Sequence, residues 1–352
     1  MYRTILVSLA LALVQSPAVA GQSTPKESLL ALSKRDHTLT IVDPSNLKVL
    51  AKVPVGNDPH EVIASSDGKT AYVSNYGFGA YNTLAVIDLV AQKPLASVDL
   101  GPLHGPHGLA FVGGKVWFTA ETAKAIGSYE PASGKVDWIL GTGQNRTHMI
   151  YVFDDLKRII TTNVSSGSVS IIEKTAGGAG AGGPPPGPAQ PGTQPPLPRN
   201  PMGDWDETVV KVGTGSEGFD VSSDGKELWV ANSEDGTISI IDLATKKVID
   251  KISATARGAN RLKFTPDGKR VFVSCLSGED EIVLDAVTRK EIKRIKVGHG
   301  AAGILMQPDG MRAFVACSPD NYVAVIDLKS LEVVGHIDVG AQPDGLAWAV
   351  RH

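Results

Sequence analysis

The fold of this chain is decided by the stretch GFDVSSDGKELWVAN at residues 218–232. It holds two short apolar runs, and between them lies Asp224-Gly225, a pair that tolerates the positive φ angles of a tight hairpin turn. An alternating run from Thr237 to Leu243 and a further run from Val248 to Ile252 follow. The pattern predicts four short strands joined by turns as one structural unit.

This unit recurs along the chain. Its hairpin turn returns at Asp67-Gly68, Asp267-Gly268 and Asp309-Gly310. The position just before each hairpin strand forms a column whose members lie 47, 41, 69, 43, 42 and 42 residues apart, namely His60, His107, His148, Glu217, Asn260, Ala302 and Asp344. A period of about forty residues with four strands per copy is typical of β-propeller blades.

Six copies are complete, and the seventh is divided between the chain ends. After Asp344-Gly345 only one strand fits, at Leu346 to Val350, whereas the N-terminal region offers three, at 28–33, 38–42 and 49–55. Joining the two ends closes the ring and pairs strands that would otherwise be open edges. We therefore predict an all-β, seven-bladed β-propeller with four-stranded blades, formed by residues 21–352 as one monomeric domain.

Composition and the N-terminus limit the location and the partners. The 352 residues carry a formal net charge of −3, which gives no electrostatic preference for nucleic acid. Arg3, the apolar run 5–14 and the small residues Ala18-Val19-Ala20 predict a signal peptide at residues 1–20, too short to span a membrane. We expect a periplasmic or secreted protein without a membrane span.

A low-complexity insert rich in Gly, Ala and Pro lengthens the third copy. It occupies residues 175–204, between the third and fourth strands, and its composition predicts disorder. Two interpretations remain open, a passive spacer or a docking tether for a protein partner.

Candidate catalytic and metal-binding residues are predicted at the positions where the copies differ. Three successive histidines, His60, His107 and His148, stand at positions where the chain enters the innermost strands, which meet around one mouth of the central channel. Imidazoles that converge from neighbouring blades are ligands for a divalent metal ion. The alternative is that they are solvated or hydrogen-bonded loop residues.

Charged residues near this column supply further candidates. Glu217 continues the column and Glu121 ends the second strand of the copy that contains His107, so either carboxylate is a candidate fourth ligand or general base. Arg146 and Arg261 lie beside the column, where we expect them at the rim of the mouth, able to bind a carboxylate or a developing oxyanion.

The copies resemble a known family. The segments LWVAN at 228–232 and AYVSN at 71–75, each followed by a loop and then Ile-Asp-Leu at 241–243 and 87–89, are similar to repeats of the YVTN family of secreted β-propellers. The resemblance covers nearly the whole chain after the signal peptide, apart from the insert. It implies the propeller fold and leaves the activity open.

One copy carries a second resemblance. The segments GPHGL at 105–109 and VWFTAE at 116–121 look like repeats of the virginiamycin B lyases. Those seven-bladed propellers use His and Glu with a divalent metal to open a cyclic ester by elimination. The likeness implies such a role for His107 and Glu121, and it extends over about one blade.

Two functions follow from these observations. The first is a metal-assisted hydrolase or lyase that acts on a small ester, lactone or similar electrophile, with His60, His107 and His148 as ligands. Glu121, Glu217, Arg146 and Arg261 would then be its catalytic groups. The second is a non-catalytic propeller that binds a small ligand or a protein through the same mouth or the Pro-rich insert. The chain has no Gly-x-Ser-x-Gly motif, no phosphate-binding Gly loop and no Cys-x-x-Cys-His haem motif.

Overall fold

Seven antiparallel sheets form a closed ring in the computed structural model, which describes residues 23–175, 204–253 and 258–352. This confirms the predicted all-β, seven-bladed propeller. The signal peptide and residues 176–203 of the insert lie outside the described residues and stay predictions. No helix in the described ranges has the length and apolar character needed to cross a bilayer.

Blades are numbered from His60, and their strands are given from the channel outwards. Blade 1 contains Pro59–Ala64, Thr70–Asn75, Thr83–Asp88, Lys93–Pro94 and Val98–Asp99. Blade 2 contains Pro106–Val112, Lys115–Ala120, Ala125–Glu130 and Lys135–Gly141. Blade 3 contains Thr147–Val152, Arg158–Asn163, Ser168–Lys174 and Trp205–Lys211. Blade 4 contains Ser216–Val221, Glu227–Asn232, Thr237–Asp242 and Lys247–Ser253.

The remaining strands complete the ring. Blade 5 contains Ala259–Phe264, Arg270–Cys275, Asp280–Asp285 and Glu291–Lys296. Blade 6 contains Ala301–Met306, Arg312–Cys317, Tyr322–Asp327 and Glu332–Ile337. Blade 7 contains Pro343–Val350, Glu27–Ser33, Thr38–Asp43 and Lys48–Pro54. Short 3₁₀ turns lie at Gly77–Gly79 and Val164–Ser166.

Ring closure follows the predicted pairing of the two chain ends. Leu29 pairs with Trp348 and Leu30 with Ala347, in antiparallel register. The blades have four strands, with one departure: the outer strand of blade 1 is divided into two short pieces that both pair with Thr83–Asp88. Pro94 ends the first piece, which agrees with its lack of a backbone N–H for the ladder.

The apolar core lies between neighbouring blades. Leu30 and Ile41 of blade 7 pack with Val62 and Val73 of blade 1, and equivalent layers recur around the ring. Each fully buried aliphatic side chain stabilises the fold by about 1.5–3 kcal/mol relative to an exposed one. The packing therefore joins each blade to both of its neighbours.

One core position departs from the repeat. The second residue of the third strand is aliphatic and fully buried in six blades, where it is Leu39, Leu84, Ile126, Val169, Ile238 or Val323. In blade 5 it is Glu281, which is equally buried and whose two carboxylate oxygens have no hydrogen-bond partner among the described residues. Burial raises the pKa of Glu281 well above its usual value, so the side chain is kept as a neutral acid.

Candidate metal and acid–base site at the channel mouth

A backbone irregularity aims the column residues at the channel. In blade 1, His60 and Glu61 together stand opposite the single residue Ser74, which is the two-against-one pattern of a β-bulge. The same irregularity recurs at the start of the innermost strand in the other six blades. A bulge interrupts the strict alternation of side chains along a strand. The side chains of the column residue and of the residue after it can therefore both face the channel.

Hydroxyl groups hold neighbouring blades in register at this level. A Ser or Thr in the second strand of one blade donates to the backbone carbonyl of the column residue in the next, as in Ser74 to His107 at 2.8 Å, Thr119 to His148 at 2.6 Å and Thr162 to Glu217 at 2.5 Å. Glycine allows the close approach: a Cβ atom on Gly345 would lie 2.4 Å from the carbonyl oxygen of His60.

The three predicted histidines meet as a result. The ring centroids of His60 and His107 are 5.0 Å apart, and those of His107 and His148 are 3.8 Å apart. His107 and His148 are both buried, each 2% exposed. The distances bring together imidazoles from three blades on one side of the disc, as the sequence predicted.

His148 is held between two carboxylates. Its Nδ1 atom contacts Glu121 Oε1, and its Nε2 atom lies 2.7 Å from Glu217 Oε2. Burial alone would lower the pKa of His148, but the charges of Glu217 and Glu121 raise it and so favour the protonated ring, which can donate to both carboxylates. Conversely, burial would raise the pKa of Glu217, yet His148, Arg261 and Arg146 hold it at about 2. Glu217 is therefore a weak base here, and it orients His148.

His107 differs from its neighbour in its hydrogen bonding. No side-chain hydrogen bond of His107 is found within the described part of the chain, and its Nδ1 atom is buried and unsatisfied. Burial, followed by the nearby charge of His148, keeps the pKa of His107 well below its usual value. A neutral imidazole with a free nitrogen is the form that binds a metal ion.

His60 lies beside this pair in a different setting. Its Nε2 atom is 3.2 Å from Asp58 Oδ1, and its Nδ1 atom is 3.6 Å from Asp344 Oδ2. The residues whose ligand atoms lie within 4.8 Å of one another are His107, Glu121 and His148. Glu121 thus takes the third place in the compact ligand group, and His60 stands next to it.

The two arginines bind the carboxylates of the site. Arg146 Nε lies 3.4 Å from Glu121 Oε2, and its Nη1 atom lies 3.6 Å from Glu217 Oε1. Arg261 was expected at the rim, but its side chain is only 12% exposed and lies inside the channel, with Nη1 3.6 Å from Glu217 Oε2. The β-bulge explains the difference, since it directs the residue after the column inwards as well.

Sequence reasoning missed two residues of the site. Glu61 Oε1 accepts a hydrogen bond from Arg261 Nη2 at 2.7 Å, across the channel. Tyr76 donates to Glu121 Oε2 at 2.5 Å, and its ring packs edge-on against His60 and His107. The sequence could have indicated Glu61. The position after the column is Gly in four copies, whereas Glu61 and Arg261 carry opposite charges there, which suggests an ion pair.

Charge at the mouth does not by itself require a further cation. Among the described residues, the carboxylates there are Glu61, Glu121, Glu217, Asp58 and Asp344, and the permanent cations that pair with them are Lys34, Arg146 and Arg261. A protonated His148 and the exposed guanidinium of Arg35, which lines the adjoining groove with Asp58, offset the remaining negative charge. The unsatisfied nitrogen of His107 is therefore the feature that fits a divalent cation. Ligation by His148 would require it to exchange its proton and one carboxylate contact for the ion.

The mouth encloses a small cavity. It has a volume of about 140 Å³, and His60, His107, His148, Arg146, Arg261 and Glu217 are among its lining residues. This volume is below the 300–1,000 Å³ of most small-molecule pockets. The cavity can therefore enclose a reacting group but not a whole substrate.

Known proteins share this fold. The model of the YNCE-like β-propeller family matches residues 203–309. A functionally unknown protein of Desulfotomaculum acetoxidans is 14% identical with a TM-score of 0.71, over 92% of this chain and 99% of that one. A protein of Bacteroides fragilis, provisionally named a 6-phosphogluconolactonase, is 15% identical with a TM-score of 0.69, over 95% and 100% of the chains. A similarly named protein of Bacteroides uniformis is 15% identical with a TM-score of 0.70, over 92% and 99%. These likenesses concern the fold alone, and the YVTN resemblance stays a prediction.

Proposed function

We propose that this chain is a metal-dependent hydrolase or lyase that acts on a small ester, lactone or similar electrophile at the channel mouth. The observation that carries the proposal is His107, a buried imidazole whose Nδ1 atom has no hydrogen-bond partner among the described residues and which offers a ligand atom within 4.8 Å of those of His148 and Glu121. The provisional lactonase names of the two Bacteroides neighbours agree with it.

His107, His148 and Glu121 would hold the divalent ion, with His60 beside them. When bound, such an ion polarises a carbonyl group and stabilises negative charge on its oxygen. Arg146 keeps Glu121 and Glu217 in place from the outer side, and Arg261 does the same for Glu217 from within the channel. The guanidinium groups also supply positive charge towards a developing oxyanion.

Metal content tests the proposal. We expect about one divalent metal ion per chain in the purified mature protein, and loss of most of it in His107→Ala, because the variant removes the free nitrogen. His299→Ala is the matched control, since His299 is an exposed histidine paired with Glu279 and Asp320. Elemental analysis after dialysis measures the content, and hydrolysis of a panel of small lactones and esters measures activity.

The opposite result would favour a binding protein. A metal-free wild-type chain without turnover of any lactone or ester would contradict the proposal. The second function, a propeller that binds a small ligand or a protein, would then be the better interpretation.

We also propose that the protein is exported to the periplasm or the cell exterior and that the insert 175–204 is a spacer or a tether for a protein partner. Both proposals rest on the sequence patterns described above. N-terminal sequencing of the protein from its native host should begin at Gly21, whereas an intact Met1 would contradict export by this signal.

A further inference from the structure

One loop at the mouth departs from the repeat. The connection between the second and third strands has four residues in six blades, but seven in blade 1, at 76–82. The longer loop begins at Tyr76, which donates to Glu121 of the candidate site. Like the histidine column, this longer loop differs from the other copies of the repeat, and it is therefore a candidate functional element.

The longer loop presents an aromatic side chain to solvent. Phe78 is 90% exposed, and its backbone lies in the left-handed region at φ 51° and ψ 37°. That conformation is uncommon for a bulky residue, while glycines stand on both sides at Gly77 and Gly79. The only ring contact recorded for Phe78 among the described residues is with Tyr76, at 6.4 Å between centroids, so burial and backbone geometry give little reason for a phenylalanine at this position.

Hydrogen bonds fix the loop against its neighbours. Gly79 donates to the carbonyl of Tyr76 at 3.0 Å and accepts from the Thr122 hydroxyl at 2.7 Å, and the carbonyl of Tyr81 accepts from Gly105 at 2.7 Å. The aromatic surface is thus held in place before any ligand arrives, which reduces the entropic cost of binding.

Phe78 faces a groove that continues into the candidate site. The groove has a volume of about 600 Å³ and shares His60 and Lys34 with the small cavity. Phe78 and Tyr81, which is 40% exposed, form its aromatic side. Its volume lies in the range that encloses a small molecule, which the cavity does not.

The groove also has basic lining residues. Lys34, Arg35 and His37 line it, from the loop of blade 7. Lys34 pairs with Asp344, whereas the Arg35 side chain is exposed and forms no ion pair with any residue that the structure describes. Asp58 also lines the groove, and its Oδ1 atom is occupied by His60. Arg35 therefore remains free to bind an anionic group.

We propose that this groove is a binding subsite for an aromatic ring that carries an anionic group, with the ring stacked on Phe78 and Tyr81 and the anion on Arg35. The proposal rests on the proposed function in one respect: the ring would belong to the substrate whose ester or lactone group enters the cavity. Stacking on an aromatic face and a guanidinium–carboxylate contact are both favourable interactions.

Ligand-observed NMR with non-reacting probes tests the subsite without any turnover. We expect the full mature chain, treated with chelator, to bind benzoate more tightly than cyclohexanecarboxylate, which has the same charge but no aromatic face. Phe78→Ala should weaken benzoate roughly five- to tenfold. Arg35→Gln should weaken benzoate but leave benzyl alcohol unchanged. Val287→Ala is the control, because Val287 is also highly exposed, at 85%, and does not line the groove.

Equal binding of benzoate and cyclohexanecarboxylate, unchanged affinity in Phe78→Ala, or no binding to the wild-type chain would each overturn the subsite. These outcomes are separate from the metal analysis of His107→Ala. The subsite can therefore fail while the metal site stands, and the reverse also holds.

Discussion

Replacement of Glu281 by leucine is expected to raise the free energy of unfolding at pH 7 by about 2–4 kcal/mol. The carboxyl group is fully buried and has no hydrogen-bond partner in the part of the chain that the structure describes, and the six sister blades have an aliphatic residue at this position. The variant removes an unsatisfied polar group and restores the apolar contact that the repeat provides elsewhere. Equilibrium unfolding in urea, compared with the wild-type chain, measures the gain.

The gain should grow with pH. Because the folded-state pKa of Glu281 lies well above its usual value, the unfolded chain releases this proton first as pH rises. Wild-type stability should then fall above about pH 4.5, by up to about 1.4 kcal/mol per pH unit, until the folded-state pKa is reached. Glu281→Leu and Glu281→Gln should both lose this contribution.

An exposed carboxylate nearby provides the comparison. Glu279→Gln, two residues earlier in the chain, should change stability by no more than about 0.5 kcal/mol, since its side chain is 44% exposed. A Glu281→Leu variant that is less stable than wild type would show that the carboxyl group stabilises the fold through a contact. A variant that keeps the wild-type dependence on pH would show that the folded-state pKa of Glu281 is not raised.

The fold could be predicted from sequence because its determinants are local and repeated. The hairpin at Asp224-Gly225 and the alternating run that begins at Thr237 define a blade without reference to any distant residue. The seventh blade could be predicted only by pairing strands from the two ends of the chain. The pairing of Leu29 with Trp348 confirms this prediction. The divided outer strand of blade 1 was not anticipated, although Pro94 marks its position.

The candidate site was predictable in part. The histidine column depends only on blade period, and the structure brings the three rings together. The partners of each side chain depend on distances across the ring, which no periodicity encodes: Glu217 clamps His148 from the next blade, and Tyr76 reaches Glu121 from the preceding one. The β-bulge also turns residues such as Arg261 towards the channel, whereas strict strand alternation would place them on the other face.

A double-mutant cycle across the channel should give the second large effect. Glu61 and Arg261 form an ion pair at 2.7 Å, with side chains 15% and 12% exposed. Arg261→Met is expected to lower the free energy of unfolding by about 3–5 kcal/mol, because it leaves Glu61 without its partner in a partly dry channel. Glu61→Met should cost less, since Arg261 keeps its contact with Glu217.

The double variant should be more stable than the sum of the single effects predicts, by about 1.5–3 kcal/mol. Urea unfolding of the four proteins gives this coupling energy. The exposed pair Lys251 and Asp235, 3.1 Å apart, serves as the reference cycle, and its coupling should stay below about 1 kcal/mol. Additivity within about 0.5 kcal/mol in the channel pair would mean that water screens it.

The position of this pair explains why the two single variants should differ. Glu61 and Arg261 line a second space of about 410 Å³, whose other lining residues include the apolar Leu109, Met149 and Trp348. Arg261 also lines the cavity that contains the histidines. Since Arg261 contacts Glu217 on one side and Glu61 on the other, its loss removes charge balance from both spaces, whereas loss of Glu61 affects only the apolar one.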